Sequence, residues 1–339
     1  MKPKVAIIGA SGYVGGELLR LLLSHGQVSV TKVTSSSNCA KKVSDVHRNL
    51  HNLTDLQFSD EPVEQVAKEV DLMFFALPHC TSMDLVPKVI GKTMIVDLSA
   101  DFRLEDPGVF EKFYGRHSSK GLLDKFVCGL PELNRAAIKK ARNVSVPGCF
   151  PTGAILALLP LAKSGLLASN VIIDSKTGSS GSGKTPSEST HHPERAQDFK
   201  AYNVFSHRHQ PEIEQGLKSQ GNGAFDITFV AHSAPMARGI FTTAYAFLQR
   251  PITKPELKEI YGKCYGKEFF IRLVDQARSN VVKGTNFCDI GLDCSGRKVV
   301  ITSAIDNLVR GAAGTAVQDM NIMLGINERT GLEFPGFLP

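Results

Sequence analysis

The chain has 339 residues, room for two domains of roughly 100–200 residues around one functional cleft. At 42% hydrophobic and 21% charged it reads as an ordinary globular protein, and its longest apolar run, residues 154–162, falls far short of the ~20 residues that span a bilayer. The net charge of +6, from 39 basic and 33 acidic residues, contains no basic run that would grip nucleic acid; it suits an anionic small molecule.

Residues 4–8 predict a short apolar strand, and residues 13–24 a helix with Leu18, Leu19, Leu22 and Leu23 along one side. Between them, Gly9-Ala-Ser-Gly12-Tyr-Val-Gly15 places glycines where a strand hands over to a helix. The free backbone N–H groups there suit a dinucleotide pyrophosphate, although the glycine spacing departs from the commonest form. A strand over 28–34 follows, and its end reads Thr34-Ser35-Ser36-Ser37-Asn38, with Lys41 and Lys42 close behind. An NAD site usually carries Asp or Glu at that point. Hydroxyls at Ser35 and Ser37 with nearby cations, and no carboxylate to repel a 2′-phosphate, favour NADP. Further strands over 71–76, 93–97 and 144–146 complete a strand–helix alternation, which predicts a parallel sheet covered on both faces.

The character shifts after Cys149. A helix over 152–163 and a strand over 171–174 precede a polar stretch, 176–192, that has no face to bury. A helix from Pro211, long β-rich segments at 226–234, 239–248 and 298–305, and an amphipathic helix over 308–324 complete the chain. The expected class is α/β: a Rossmann-type NADP-binding domain (residues 1–148 plus 308–339) with an inserted α+β catalytic domain on a mostly antiparallel sheet (149–307).

The polar stretch contains Gly178-Ser-Ser-Gly-Ser-Gly183-Lys184-Thr185, which fits the nucleotide P-loop pattern letter for letter. A P-loop must run into a helix that packs on the sheet, and residues 186–195 hold two prolines and no large apolar side chain. We read a glycine-serine loop lining a cleft, whose backbone N–H groups remain available to phosphate.

Of seven cysteines, Cys149 alone sits at a Pro-Gly turn into a helix, in Val146-Pro-Gly-Cys149-Phe-Pro-Thr-Gly153. A helix dipole there lowers a thiol pKa, which makes a reactive thiolate; the alternative is a buried structural cysteine. Its partner is sought in His207-Arg-His209-Gln-Pro-Glu212. An extended approach would send both imidazoles the same way, and Glu212 in the first helical turn could orient one of them. A histidine-bearing surface turn is the competing reading. Cys288 and Cys294 lack close pairing and the histidines lack helical i,i+4 spacing, so no metal site is expected. The odd cysteine count and an N-terminus without a signal-peptide core lead us to expect reduced thiols and a cytoplasmic location.

Taken together, Gly9-Ala-Ser-Gly-Tyr-Val-Gly-Gly-Glu17, Leu98-Ser-Ala-Asp-Phe-Arg103, Pro147-Gly-Cys149-Phe-Pro-Thr152, His207-Arg-His-Gln-Pro-Glu212, Ala234-Pro-Met-Ala-Arg-Gly239 and Asp306-Asn-Leu-Val-Arg-Gly-Ala-Ala-Gly314 resemble the N-acetyl-gamma-glutamyl-phosphate reductase family. The resemblance implies NADPH-dependent reduction of an acyl phosphate to an aldehyde in arginine biosynthesis, through a thioester on Cys149. It implies His209 as acid/base with His207 and Glu212 beside it. It also implies cofactor contacts from Gly9, Ser11, Gly12, Tyr13, Val14, Gly15 and Asn307, to which we add Ser35, Ser37, Pro78, Gly181 and Ser182. Arg103, Arg238 and Lys184 are the candidate anchors for the substrate's anionic groups. A homo-oligomer, dimer or tetramer, built through 149–307, follows from the same resemblance. Phe150 stands where the family more often has Tyr, and Ser36 and Asn38 stand where a cation is common. The alternatives are a carrier-linked aminoadipyl-phosphate reductase of lysine biosynthesis, an aspartyl-phosphate reductase and a non-catalytic NADP-binding sensor.

Overall fold

The computed structural model describes residues 1–221 and 225–337. The chain divides into two compact units: Met1–Pro147 with Ala312–Glu333, and Gly148–Gly311 with the segment from Phe334 onward.

In the first unit, β1 (Lys4–Ile8), β2 (Ser29–Thr34), β3 (Leu72–Phe75), β4 (Met94–Asp97), β5 (Val127–Cys128) and β6 (Asn143–Ser145) form one sheet. Its order is β2-β1-β3-β4-β6-β5 and every pairing is parallel. The cause is visible in β3, Leu-Met-Phe-Phe, where every residue is buried; a strand covered on both faces needs an unbroken apolar run. The helix Tyr13–Leu23 buries Leu18, Leu19, Leu21 and Leu22, and the final helix, Gly314–Met323, packs against it. From β1 the sheet runs to β2 on one side and to β3 on the other. The carboxyl end of β1 is therefore a topological switch point, and the glycine loop begins there.

The second unit carries β7 (Leu167–Thr177), β8 (Lys200–Tyr202), β9 (Asp226–Ser233), β10 (Ile240–Leu248), β11 (Ile271–Val274), β12 (Cys288–Ser295) and β13 (Lys298–Ile305). The order is β11-β12-β13-β10-β7-β9-β8, antiparallel except at β11–β12 and β7–β9. The helix Cys149–Lys163 is apolar all round and lies against β10 and β13. The strands alternate accordingly, with Val171, Ile173, Ala244 and Ala246 buried. On the opposite face, Ile172, Tyr245 and Phe247 are 47%, 41% and 51% exposed.

The structure departs from the expected elements in several places. The helix Lys254–Tyr265 was not expected, because its apolar stripe is only Leu257, Tyr261 and Tyr265. Its contribution is specific: Pro160 has no N–H for the carbonyl of Leu156, and the Tyr265 hydroxyl donates to that carbonyl at 2.7 Å. The expected strand over 171–174 is eleven residues long, because β7 stays paired through Lys176 and Thr177 with β9 and β10. The regular part of the final helix begins at Gly314, after a π-helical turn over Val309–Ala313. Residues 308–311 and the segment from Phe334 thus group with the second unit, whereas the expected boundary put them in the first. Gly336 lies so close to Val281 that a Cβ there would stand 2.1 Å from its carbonyl oxygen, which ties that segment down.

Candidate active site

The glycine loop is built for close backbone approach. Gly9 has φ +82°, and a Cβ on it would lie 2.7 Å from the carbonyl oxygen of Ala76; on Gly15 it would lie 2.5 Å from the backbone of Ala10. Gly12, the N-cap of the helix Tyr13–Leu23, has no side-chain cap, and nothing lies within 4 Å of its Cβ position. A helix start with unspent N–H groups and open space before it fits a pyrophosphate. Tyr13 and Val14 open that helix, with Tyr13 exposed. At the end of β2, Ser35 donates to Ser11 at 2.9 Å and lies 3.4 Å from Ser37, while Asn38 donates to Ser37 at 3.1 Å and Lys41 to Asn38 at 3.2 Å. This chain of hydroxyls ending in an ammonium contains no carboxylate. Pro78 is exposed two residues beyond Ala76.

The Leu98–Arg103 motif is a folding knot in the same unit. Asp101 accepts the backbone N–H groups of Cys80 and Met83, and Asp97 accepts from the Ser99 hydroxyl at 2.7 Å. Burial, and then the charge of Asp101, push Asp97 up to about 6. Arg103 spends its guanidinium on the carbonyls of Val146 and Leu98, both at 2.8 Å. It braces the strand end before Gly148, a different task from the expected anchoring of substrate.

In the second unit, Cys149 is the first residue of the helix Cys149–Lys163, and Gly148 is its N-cap. Glu212, buried, accepts the Gly148 N–H at 2.8 Å. Glu212 thereby holds the backbone just before Cys149, a contact that the expected role of orienting a histidine did not include. His209 is the N-cap of the helix Gln210–Lys218, and a Cβ on Gly148 would sit 2.6 Å from its Nε2. The imidazole thus lies directly on the backbone that carries Cys149. On the other side, a Cβ on Gly311 would fall 2.7 Å from the Cβ of Cys149, so the π-helical turn presses on the thiol's own carbon.

His207 and His209 are not on an extended segment; they flank a turn, in which the His209 N–H donates to His207 Nδ1 at 3.1 Å. Accepting at Nδ1 leaves His207 as the Nε2–H tautomer. Burial, reinforced by the charge of Arg208, pushes its pKa down to about 4, so it is neutral at pH 7. Phe150 sets an edge against both rings, with centroids 5.4 and 5.8 Å away, and Tyr202 lies 5.5 Å from His207.

The Gly178–Lys184 loop lacks P-loop geometry, because only the short turns Glu188–Thr190 and His192–Arg195 follow it and no helix there packs on the sheet. Several of its backbone N–H groups are spent: Gly178, Ser179 and Ser180 donate to the carbonyls of Gly239, Met236 and Ala237. Three of the amides expected to be available to phosphate are therefore occupied by that neighbouring segment. Asn307, buried, accepts the Gly239 N–H at 2.7 Å and donates to Ser180 at 3.0 Å, so it ties the loop to the sheet end. Gly181, Ser182 and Lys184 are exposed along the loop. Arg238 is held by Asp306 at 2.6 Å, an ion pair that competes with its expected role as an anion anchor. Gly311, Asp306 and Tyr202 were missed in the sequence; only Gly311 and Asp306 lay inside a recognised motif. Among the described residues no cluster could hold a metal ion, and no helix is long and apolar enough to cross a membrane.

The two units define a class. Residues 4–141 match the semialdehyde dehydrogenase NAD binding domain, and residues 149–307 the semialdehyde dehydrogenase dimerisation domain. Solved structures of similar fold include aspartate semialdehyde dehydrogenase II from Vibrio cholerae, with TM-score 0.73 and 16% identity, covering 96% of this chain and 99% of that one. The enzyme from Candida albicans, solved with NADP, has TM-score 0.70 and 14% identity at the same coverage. Much nearer in sequence are proteins named N-acetyl-gamma-glutamyl-phosphate reductase. The one from Methanocaldococcus jannaschii is 47% identical over 99% of both chains, and one from Dehalococcoides mccartyi is 46% identical over 100% of this chain and 99% of its own. The chain belongs to the N-acetyl-gamma-glutamyl-phosphate reductase family.

Proposed function

We propose that this protein reduces N-acetyl-L-glutamyl 5-phosphate to N-acetyl-L-glutamate 5-semialdehyde with NADPH, releasing phosphate, as a step of arginine biosynthesis. The observation that carries the chemistry is the seat of Cys149: first residue of a helix, with His209 Nε2 against the preceding glycine. A helix start favours thiolate over thiol, and the Cys149 thiolate attacks the acyl carbonyl. A carbon–sulfur bond forms, the carbon–oxygen bond to phosphate breaks, and the product is a thioester. NADPH, when bound by the glycine loop, would supply the hydride that reduces the thioester on Cys149 to a thiohemiacetal. His209 donates a proton to the developing oxyanion and takes it back as the carbon–sulfur bond breaks, freeing aldehyde and thiolate; such help is worth ~10²–10⁴-fold. The first-turn N–H groups after Gly148 have no partner within their helix and face the same oxyanion demand. His207, neutral, fixes the His209 backbone without adding a competing charge.

The coenzyme reading rests on the first unit. Gly9, Gly12 and Gly15 with the N–H groups at Tyr13 and Val14 would hold the pyrophosphate, and Ser11, Ser35 and Ser37 with Lys41 would hold the 2′-phosphate.

Initial rates with N-acetylglutamyl phosphate, its unacetylated analogue, aminoadipyl phosphate and aspartyl phosphate, each with NADPH and NADH, test the reading. The highest kcat/KM is expected for the acetylated substrate with NADPH. A preference for another acyl phosphate, or for NADH, would overturn it.

We further propose that the protein is a dimer joined through the open face of the second sheet. Ile172, Tyr245 and Phe247 leave an apolar stripe there, and a second copy is the occupant that the dimerisation-domain match favours. Tyr245→Asp with Phe247→Asp should move the wild-type sedimentation coefficient to that of a monomer. An unchanged coefficient places the contact elsewhere.

A further inference from the structure

The anchors for the substrate's negative charge, as expected from sequence, are otherwise engaged: Arg103 on carbonyls, Arg238 on Asp306. A different arginine is only partly engaged, and its Nε is buried with no partner. Arg195 ends the short helical turn His192–Arg195 and is only 9% exposed, in a segment that is otherwise largely open to solvent. One of its terminal nitrogens donates to the carbonyl of Thr177 at 3.1 Å. Its Nε is buried without a partner, and no carboxylate among the described residues pairs with it. Guanidinium stays protonated at any physiological pH, so the fold buries a positive charge with nothing to neutralise it.

Its position is also informative. Thr177 ends β7, in register with Ile240 of β10, which in turn faces Ile305 of β13; Asn307 follows two residues later. The Thr177 hydroxyl lies 3.5 Å from the Cβ position of Gly181, itself 4.0 Å from the Asn307 amide nitrogen. Gly311, which packs on Cys149, donates to the carbonyl of Asp306 at 2.9 Å. Arg195 therefore lies at the same end of the sheet as the reactive cysteine. Tyr202, whose ring packs on His207, senses both groups. Burial first, then negative charge at Cys149, push its phenol up to about 12, while Arg195 acts in the opposite sense.

We propose that Arg195 is a substrate-binding residue that takes an oxyanion of the acyl substrate, the phosphate or the carboxylate, and that this ligand supplies the missing countercharge. The guanidinium fork suits either group, since both present paired oxygens. The inference rests on the proposed reaction, in which the substrate carries both anions.

The test runs the reaction backwards, with semialdehyde, inorganic phosphate and NADP as separate variables. In Arg195→Gln, the KM for one of the two anionic reactants should rise at least ~10-fold while the KM for NADP stays within about twofold; a loss of that size is what one charge-assisted contact is worth. The reactant affected identifies the anion. Arg195→Lys should fall between wild type and Gln, because a point charge replaces the fork. Guanidinium chloride should restore part of the activity of Arg195→Ala, which a purely structural role would not allow. Unchanged KM values overturn the inference and leave the reaction standing. A common fall in NADP binding, melting temperature and activity without rescue overturns it in favour of a structural role. If wild type does not turn over these reactants, the proposed reaction fails. Arg195 is then judged by whether phosphate or N-acetylglutamate slows iodoacetamide modification of Cys149 in wild type and not in Arg195→Gln; equal rates overturn it.

Discussion

Cys149→Ser should abolish acyl-phosphate reduction, with kcat falling by ~10³–10⁶-fold, as when other covalent enzymes lose their nucleophile. The exchange of sulfur for oxygen is nearly isosteric, so the helix Cys149–Lys163, whose remaining residues are buried from Phe150 to Ala162, should keep its packing. The reactivity is lost because a hydroxyl is far weaker than a thiolate at neutral pH; a helix start that brings a thiol toward neutrality leaves an alcohol protonated. NADPH binding, followed by fluorescence titration, should stay within about twofold, because the glycine loop belongs to the other unit. Near-normal turnover would rule out the thioester. Lost NADPH binding with a lowered melting temperature would instead make Cys149 a structural residue.

The second large effect is expected at Gly148. An added Cβ would lie 2.6, 2.9 and 3.0 Å from Nε2, Cδ2 and Cε1 of His209, so it meets the broad side of the imidazole and not a flexible tip. The ring cannot swing aside freely, because its backbone N–H is held by His207 and its neighbour Phe150 packs on both imidazoles. Gly148 is equally fixed, by the buried carboxylate of Glu212. Gly148→Ala should therefore lower kcat by ~10²-fold, the scale of a 1 Å misplacement at a reacting centre, with little change in the KM for NADPH. Gly311→Ala approaches from the opposite side, 2.7 Å from the Cβ of Cys149, and should have an effect of the same order. Steady-state kinetics with a melting curve for each variant decide the matter. A Gly148→Ala enzyme with unaltered kcat would mean that His209 does not need its observed seat.

The readable parts of the site were those carried by neighbours in the chain. Gly9, Gly12 and Gly15 declare themselves because strand, turn and helix succeed one another within a dozen residues. The polar tract after Gly178 could be denied a P-loop because it lacks anything to bury. The histidine pair was legible as a pair, but its geometry was not: alternation suggested an extended strand, and a single N–H to Nδ1 bond makes a turn. Arg103 and Arg238 were chosen by charge and motif alone. Charge does not show whether a guanidinium is already engaged, and both proved to be. Arg195 sits in a solvated run with no periodicity, so its burial had no local signal.

By itself the sequence determined the class of the fold, the dinucleotide loop, and which of seven cysteines stands at a helix start. Those properties follow from backbone preferences and hydrophobic period over a few residues. Only the tertiary structure decided what surrounds that cysteine. Glu212 reaches Gly148 across 64 positions, and Gly311 meets Cys149 across a still longer span. Contacts at such separation depend on how helices and strands pack, and packing leaves no spacing rule to read in advance.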